Sequence, residues 1–258
     1  MIEQGWRDHA WRVVATGLSF AAFGIGGLVL RLAAFPVLQL CVRDPARRCQ
    51  MARRWVQRSF AAHIGLMERL GVLTYRVQGG ERLQRQGLLI LSNHPTLIDV
   101  VFLVSMLPNA DCVIKGALAR NPFMRGPVRA AGYITNDGGP ALVGECIAAI
   151  RGGGNLVIFP EGTRTSPGRP PCLQRGAANV AIRGRFDITP VRIRCEPATL
   201  EKGQKWYRVP SQRFHVSIEV GEDLPVAPYL DGIALAAGSE SRAVRRLTDD
   251  LARYFSGE

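Results

Sequence analysis

The chain has 258 residues, enough for one large core with an appendage, and its 33 Lys plus Arg against 21 Asp plus Glu give a formal charge of +12, so anionic partners are expected. Six cysteines without a CxxC pair or a Cys/His cluster exclude a zinc-ribbon reading and are expected to be reduced core residues, since a chain this long needs no disulfide framework. Only Lys115, Lys202 and Lys205 are lysines; the other basic residues are arginines, a bias that genomic base composition alone can produce.

Residues 13–30 carry no charge, and after Arg31 the apolar run resumes over 32–42. At about 1.5 Å per residue this nearly covers a hydrocarbon core roughly 30 Å thick, so a tilted span and a re-entrant hairpin bent near 31–36 both fit. A cleaved leader fits less well, because Glu3 and Asp8 occupy what should be a basic stretch and no small-x-small cleavage site follows. Arg7 and Arg12 precede the segment, whereas Arg43, Arg47, Arg48, Arg53, Arg54 and Arg58 follow it. The positive-inside bias then predicts a body on the cytoplasmic side of the inner (plasma) membrane, with these arginines near anionic membrane lipids.

The expected organisation is an anchor over 1–44, an amphipathic connecting helix over 45–70 marked by Met51, Trp55, Phe60, Ile64 and Met67, and a catalytic domain over 71–258. Within that domain β-rich runs predict strands at 73–77, 88–92, 112–115, 132–135, 156–159, 188–195 and 214–220. Helical runs fall at 97–107, 141–151 and 175–183, with a charged terminal helix at 240–255, while 166–171 and 197–210 read as loops. The alternation predicts an α/β fold with a mainly parallel sheet flanked by helices.

Asn93-His94-Pro95-Thr96-Leu97-Ile98-Asp99 stands where a strand ends and a helix begins, the edge at which open α/β sheets hold ligands. Pro95 favours the first helical turn and keeps His94 extended outside it, so the ring can fold back onto Asp99 with one nitrogen and face substrate with the other. Such a pair suits a general base. His9, His63 and His215 have no comparable neighbours and read as satisfied polar residues, and no further ligands near His94 suggest a metal. A second motif, Phe159-Pro160-Glu161-Gly162-Thr163-Arg164, also begins at a strand end and would share the cleft if both strands run parallel. There Gly162 permits close backbone approach, Arg164 can grip phosphate or carboxylate, and Glu161 can orient Arg164 or a substrate hydroxyl.

N-H-x-x-x-x-D followed by F-P-E-G-T-R resembles the glycerolipid acyltransferase family, whose best-known members acylate lysophosphatidic acid, over about 75–220. The resemblance implies that His94 is the general base and Asp99 its orienter, with Asn93, Glu161, Gly162, Thr163 and Arg164 around the acceptor. It also implies that 187–191 matches the family's last apolar strand block, equally readable as a buried strand. One block departs: where an arginine is expected after Asp137 the chain has Gly138, so Arg125 or Arg129 would have to supply the charge, or the acceptor is a glycolipid or polyketide-like alcohol.

The expected reaction moves a fatty acyl group from acyl-CoA or acyl carrier protein to a hydroxyl of a lysophospholipid-type acceptor, with no metal, no redox cofactor and no nucleic acid partner. No G-x-S-x-G elbow argues for a serine hydrolase. A basic membrane-tethered binding protein is the rival, and it leaves both motifs unexplained.

Overall fold

The structure, a computed structural model, describes residues 2–166, 171–230 and 239–256. Helix α1 (Ile2–Val29) runs through a π turn (Leu30–Ala34) into α2 (Phe35–Cys41) as one rod, long and apolar enough to cross a membrane. The hairpin considered near 31–36 is therefore not formed. Pro36 falls in the first turn of α2, and the preceding π turn absorbs the irregularity that a proline imposes on the helical ladder.

The rod packs side-on along α3 (Pro45–Arg69), whose first turn is capped by the Asp44 carboxylate. Contacts follow one another along it: Trp11 donates to the Leu70 carbonyl at 2.9 Å, Phe23 meets Phe60 and His63, and Phe35 stacks near Trp55. Arg31 interrupts the apolar run because it faces the body, where its guanidinium donates to the Pro122 carbonyl at 2.7 Å and its stem covers Gly126. The opposite side exposes Val14, Leu18, Ile25, Val29, Leu32, Val37 and Leu40.

Seven strands follow: β1 (Leu73–Gln78), β2 (Leu89–Ser92), β3 (Ala110–Ile114), β4 (Ile134–Thr135), β5 (Asn155–Ile158), β6 (Ile188–Glu196) and β7 (Phe214–Val220). Their order is β1-β7-β6-β2-β5-β3-β4, parallel at every step except β6 against β7. The expected mainly parallel sheet is what forms, and the central strands are fully buried because helices cover both faces.

One face packs on α1 to α4, with α4 at Asp99–Met106. The other packs on α7 (Leu142–Arg151), α8 (Gly176–Gly184) and α10 (Ser239–Ser256). Short helices α5 (Gly116–Arg120) and α6 (Arg125–Ala131) bridge β3 to β4, and α9 (Ala227–Leu230) precedes α10.

Two asparagines, the buried Asn155 and the half-buried Asn93, stitch the centre of the sheet. At the amino edge Asn155 accepts from the Leu88 N–H and donates to the carbonyls of Arg85 and Pro108. At the carboxyl edge Asn93 exchanges two bonds with the backbone of Ile193 on β6, at 2.7 and 2.8 Å. Their joint effect is to fix the relative placement of β2, β5 and β6, the strands that carry the motifs.

Not every cysteine joins the core: all six are free, but Cys41 and Cys172 are exposed. His63 is also unlike its reading as a satisfied polar residue, since it is buried against Phe20 and Phe23 with no partner for Nδ1 among the described residues, and burial lowers its pKa to about 4. His9 likewise leaves Nδ1 unpartnered, whereas His215 shares a hydrogen bond with Thr74 at 2.8 Å.

Candidate functional site

Strands β2 and β5 are parallel neighbours, with Leu91 level with Ile158, so both motifs leave the sheet at one edge. Helix α4 begins only at Asp99, two residues later than the expected start, and Pro95 to Ile98 form a turn ahead of it. That turn brings His94 back: its Nδ1 lies 2.9 Å from Asp99 Oδ2. The Thr96 N–H donates to the same oxygen at 2.7 Å, and the Thr96 hydroxyl donates to Asp99 Oδ1.

Asp99 is fully buried, and burial pushes its carboxyl above the ordinary carboxylate range against the pull of hydrogen bonds from His94 and Thr96. An acceptor-only carboxylate here requires His94 to carry its proton on Nδ1, which leaves Nε2 with a lone pair. The Phe159 ring stacks on the imidazole at 4.2 Å between centroids, holding its plane.

Residues 161–165 are sewn to this turn. The Thr165 N–H donates to the His94 carbonyl at 2.8 Å, while the Thr165 hydroxyl receives the His94 N–H and donates to Glu161 Oε1. Glu161 therefore holds Thr165 and, through it, the backbone of His94, and among the described residues it makes no contact with Arg164, one of the two roles the sequence offered it beside orienting a substrate hydroxyl. Gly162 adopts φ +65°, a conformation that other residues take at a cost.

The Arg164 guanidinium gives Nη1 to the carbonyls of Leu200 and Glu201, at 2.9 and 2.7 Å, leaving Nε and Nη2 without an acceptor among the described residues. Asn93, expected beside the substrate, instead spends its amide on β6, which makes it a positioning residue.

A cavity of about 360 Å³ opens at this edge, lined by His94, Gly162, Thr163 and Arg164 together with residues the sequence reading did not include. Val100, Val113, Leu118 and Phe159 give it an apolar wall, and Lys115 and Lys202 add positive charge. Arg125 and Arg129 do not line it, so neither takes the place of the arginine missing at Gly138. Lys202 arrives on the segment 197–210, which read only as a loop; Leu200 anchors it by accepting from the Leu97 N–H and from Arg164. One signal was available: two of the chain's three lysines meet in this cavity.

Cys112 also lines the cavity, but burial pushes its thiol far up, away from the thiolate needed for nucleophilic attack. Among the described residues no three His, Cys, Asp or Glu side chains gather to hold a metal.

The Acyltransferase family model matches residues 74–194. The matched region contains both motifs and β1 to most of β6, in agreement with the resemblance read from the residues. A Caenorhabditis elegans protein, acl-2, assigned the name 1-acyl-sn-glycerol-3-phosphate acyltransferase, is 30% identical over 128 residues, 45% of this chain and 44% of that one. The match thus spans less than half the length of that relative. The crystal structure of the 1-acyl-sn-glycerophosphate acyltransferase PlsC from Thermotoga maritima superposes with a TM-score of 0.68, covering 96% of this chain and 98% of that one. At 16% identity that likeness shows a shared fold.

Proposed function

We propose that this chain is an O-acyltransferase that moves a fatty acyl group from a thioester to the hydroxyl of a lysophosphatidic-acid-type acceptor at a membrane surface. The observation that carries the reading is the His94–Asp99 pair at the rim of a cavity with an apolar wall and three cations.

His94 Nε2 takes the proton of the acceptor hydroxyl as its oxygen attacks the thioester carbonyl, and Asp99 stabilises the imidazolium that forms. Thr163 and Arg164 line the cavity and their N–H groups have no acceptor among the described residues, so these groups are candidates to receive the oxyanion of the tetrahedral intermediate. Collapse of that intermediate breaks the C–S bond, and the departing sulfur takes the proton from His94. Acceptor phosphate is held by the free edge of Arg164 with Lys115 and Lys202, which supply the charge absent at Gly138.

Membrane association follows from the rod. Protein contacts flank it from Trp11 to Phe35, a length of about 36 Å at 1.5 Å per residue, leaving no stretch free to be ringed by lipid. A helix with one side on the body and the other apolar and exposed fits a seat in the plane of the interface better than a span. Phe123 against α1, then Leu118 and Leu97, are also exposed and continue that apolar side towards the cavity mouth, a path for an acceptor arriving from the bilayer. We place the body on the cytoplasmic side, where thioester donors are made.

The test is thiol release from acyl-CoA and from acyl carrier protein, each with lysophosphatidic acid or its unphosphorylated monoacylglycerol counterpart. The reading predicts acceptor-dependent release with strong preference for the phosphorylated acceptor. Equal use of both moves the assignment to a neutral acceptor such as a glycolipid, and no release with any acceptor overturns the enzyme reading.

A further inference from the structure

A second cavity lies away from His94 and shares no lining residue with its cavity. It has a volume of about 240 Å³ and sits where α2, the first turn of α3 and the last turn of α6 meet. Its floor is apolar, formed by Phe35 and Leu38, both nearly inaccessible to water. Arg48 and Arg129 supply its charge, and no acidic side chain lines it. Arg48 gives one nitrogen to the Val42 carbonyl at 3.4 Å, whereas the Arg129 side chain has no hydrogen bond, ion pair or ring contact among the described residues.

Two guanidinium groups beside an apolar floor, with no carboxylate among the lining residues, present positive charge that the cavity's own side chains do not match, and the planar fork of arginine suits a phosphate oxygen pair. The flanks of the cavity narrow the choice of anion. Val37 and Leu40 on α2 are exposed beside it, continuous with the apolar side of the rod, so an occupant here has its charge among arginines and hydrocarbon alongside. A soluble phosphate satisfies only the first condition.

The geometry points to a binding site in this cavity for the phosphate-bearing headgroup of an anionic membrane lipid, held by Arg48 and Arg129 with its acyl chains along Val37 and Leu40. The inference rests on the in-plane seat of the rod. The site is separate from the acceptor site, and its consequence is an orientation: one lipid pins the end of the rod nearest α3.

The experiment uses the full chain. Native mass spectrometry from mixed micelles containing equal phosphatidylglycerol and phosphatidylcholine should show one phosphatidylglycerol retained per chain. Arg129→Gln and Arg48→Gln should each weaken retention about tenfold, the loss of one charge-assisted contact, while Arg47→Gln, exposed outside the cavity, should not. Excess inorganic phosphate should leave retention unchanged. Equal loss in all three variants overturns the site in favour of diffuse surface attraction, and displacement by inorganic phosphate overturns the lipid assignment.

Sedimentation with phosphatidylcholine vesicles separates the levels. A chain that pellets with vesicles yet retains no preferred lipid removes this site and leaves the seat standing. One that pellets with neither neutral nor anionic vesicles removes both.

Discussion

Two buried carboxylates, one at the start of α4 and one on β3, lead to different outcomes. Asp99 and Asp111 are both almost inaccessible, and burial pushes both above the ordinary carboxylate range. Asp111 faces Arg53 at 2.5 Å, a partner whose charge never changes and which is itself nearly buried and bound to Asn109 and Ala131. Asp99 faces His94, whose charge can change and whose far nitrogen is open to a cavity. The first pair ties α3 to β3 and can do nothing else. On the proposed function, the second converts the same burial into a means of holding a base and its conjugate acid. What separates a structural pair from a chemical one here is therefore the partner's capacity to titrate and its access to a ligand, not the perturbed acid.

The largest effect should fall on the chemical pair. His94→Ala should lower acyl transfer by about a hundredfold to ten-thousandfold with the unfolding midpoint unchanged, since general-base catalysis is worth that much. Asp99→Asn should lose less: an amide can still accept from His94 and the Thr96 N–H while donating to the Thr96 hydroxyl, so the ring stays placed and only the countercharge goes. Single-turnover rates measure both, and a His94→Ala rate near that of the parent would remove the mechanism.

The structural pair should respond the other way. Arg53→Met strands a buried carboxylate and should cost about 3–5 kcal/mol in denaturant unfolding, with the turnover of the folded fraction retained. Adding Asp111→Asn should recover part of that stability. Loss of turnover without loss of stability would erase the distinction between the pairs.

Smaller changes sharpen the acceptor assignment. Arg164→Lys keeps charge but loses the fork and its hold on Leu200 and Glu201, so acceptor kcat/KM should fall about tenfold or more, from about 1.5–3 kcal/mol, with donor saturation little altered. Lys202→Gln should give a smaller acceptor-specific loss, because its side chain is exposed and flexible. An equal effect of either variant on donor and acceptor would place the cations on the thioester instead.

The smallest concerns His63. As pH falls through 6.5 the unfolded chain binds a proton that the folded chain refuses until about pH 4, so stability is lost across that window. The loss between pH 7.5 and 5 should be on the order of 2 kcal/mol, and His63→Phe should flatten it. Urea midpoints across this range decide.

Much of this architecture was legible because its signals are local. Apolar runs ending at His94 and Glu161 marked two strand edges, and the spacing from His94 to Asp99 marked the pair. What stayed hidden depends on contacts distant in sequence. The fate of Glu161 follows from Thr165 meeting His94, and that of Arg164 from Leu200 folding over β2. The exit of Arg53 from the surface arginine cluster depends on Asp111, 58 residues away. Arg48 and Arg53 looked alike in the sequence, and only the packing of α3 on α6 and β3 gave them separate tasks. Whether 13–42 would span or bend was equally beyond composition, since the answer lies in what α3 and α6 offer to one side of it.

The apolar side of the rod, continued by Phe123 and Leu118, has a thermodynamic consequence for what leaves the cavity. Each methylene brought into water costs about 0.8 kcal/mol, so the diacyl product of the proposed reaction would meet a steep barrier if it left through solvent. Along a greasy lip the molecule passes from protein to bilayer without its chains being wetted. Slow steps are then those of a two-dimensional fluid, and turnover should follow the viscosity of the leaflet rather than that of the surrounding buffer.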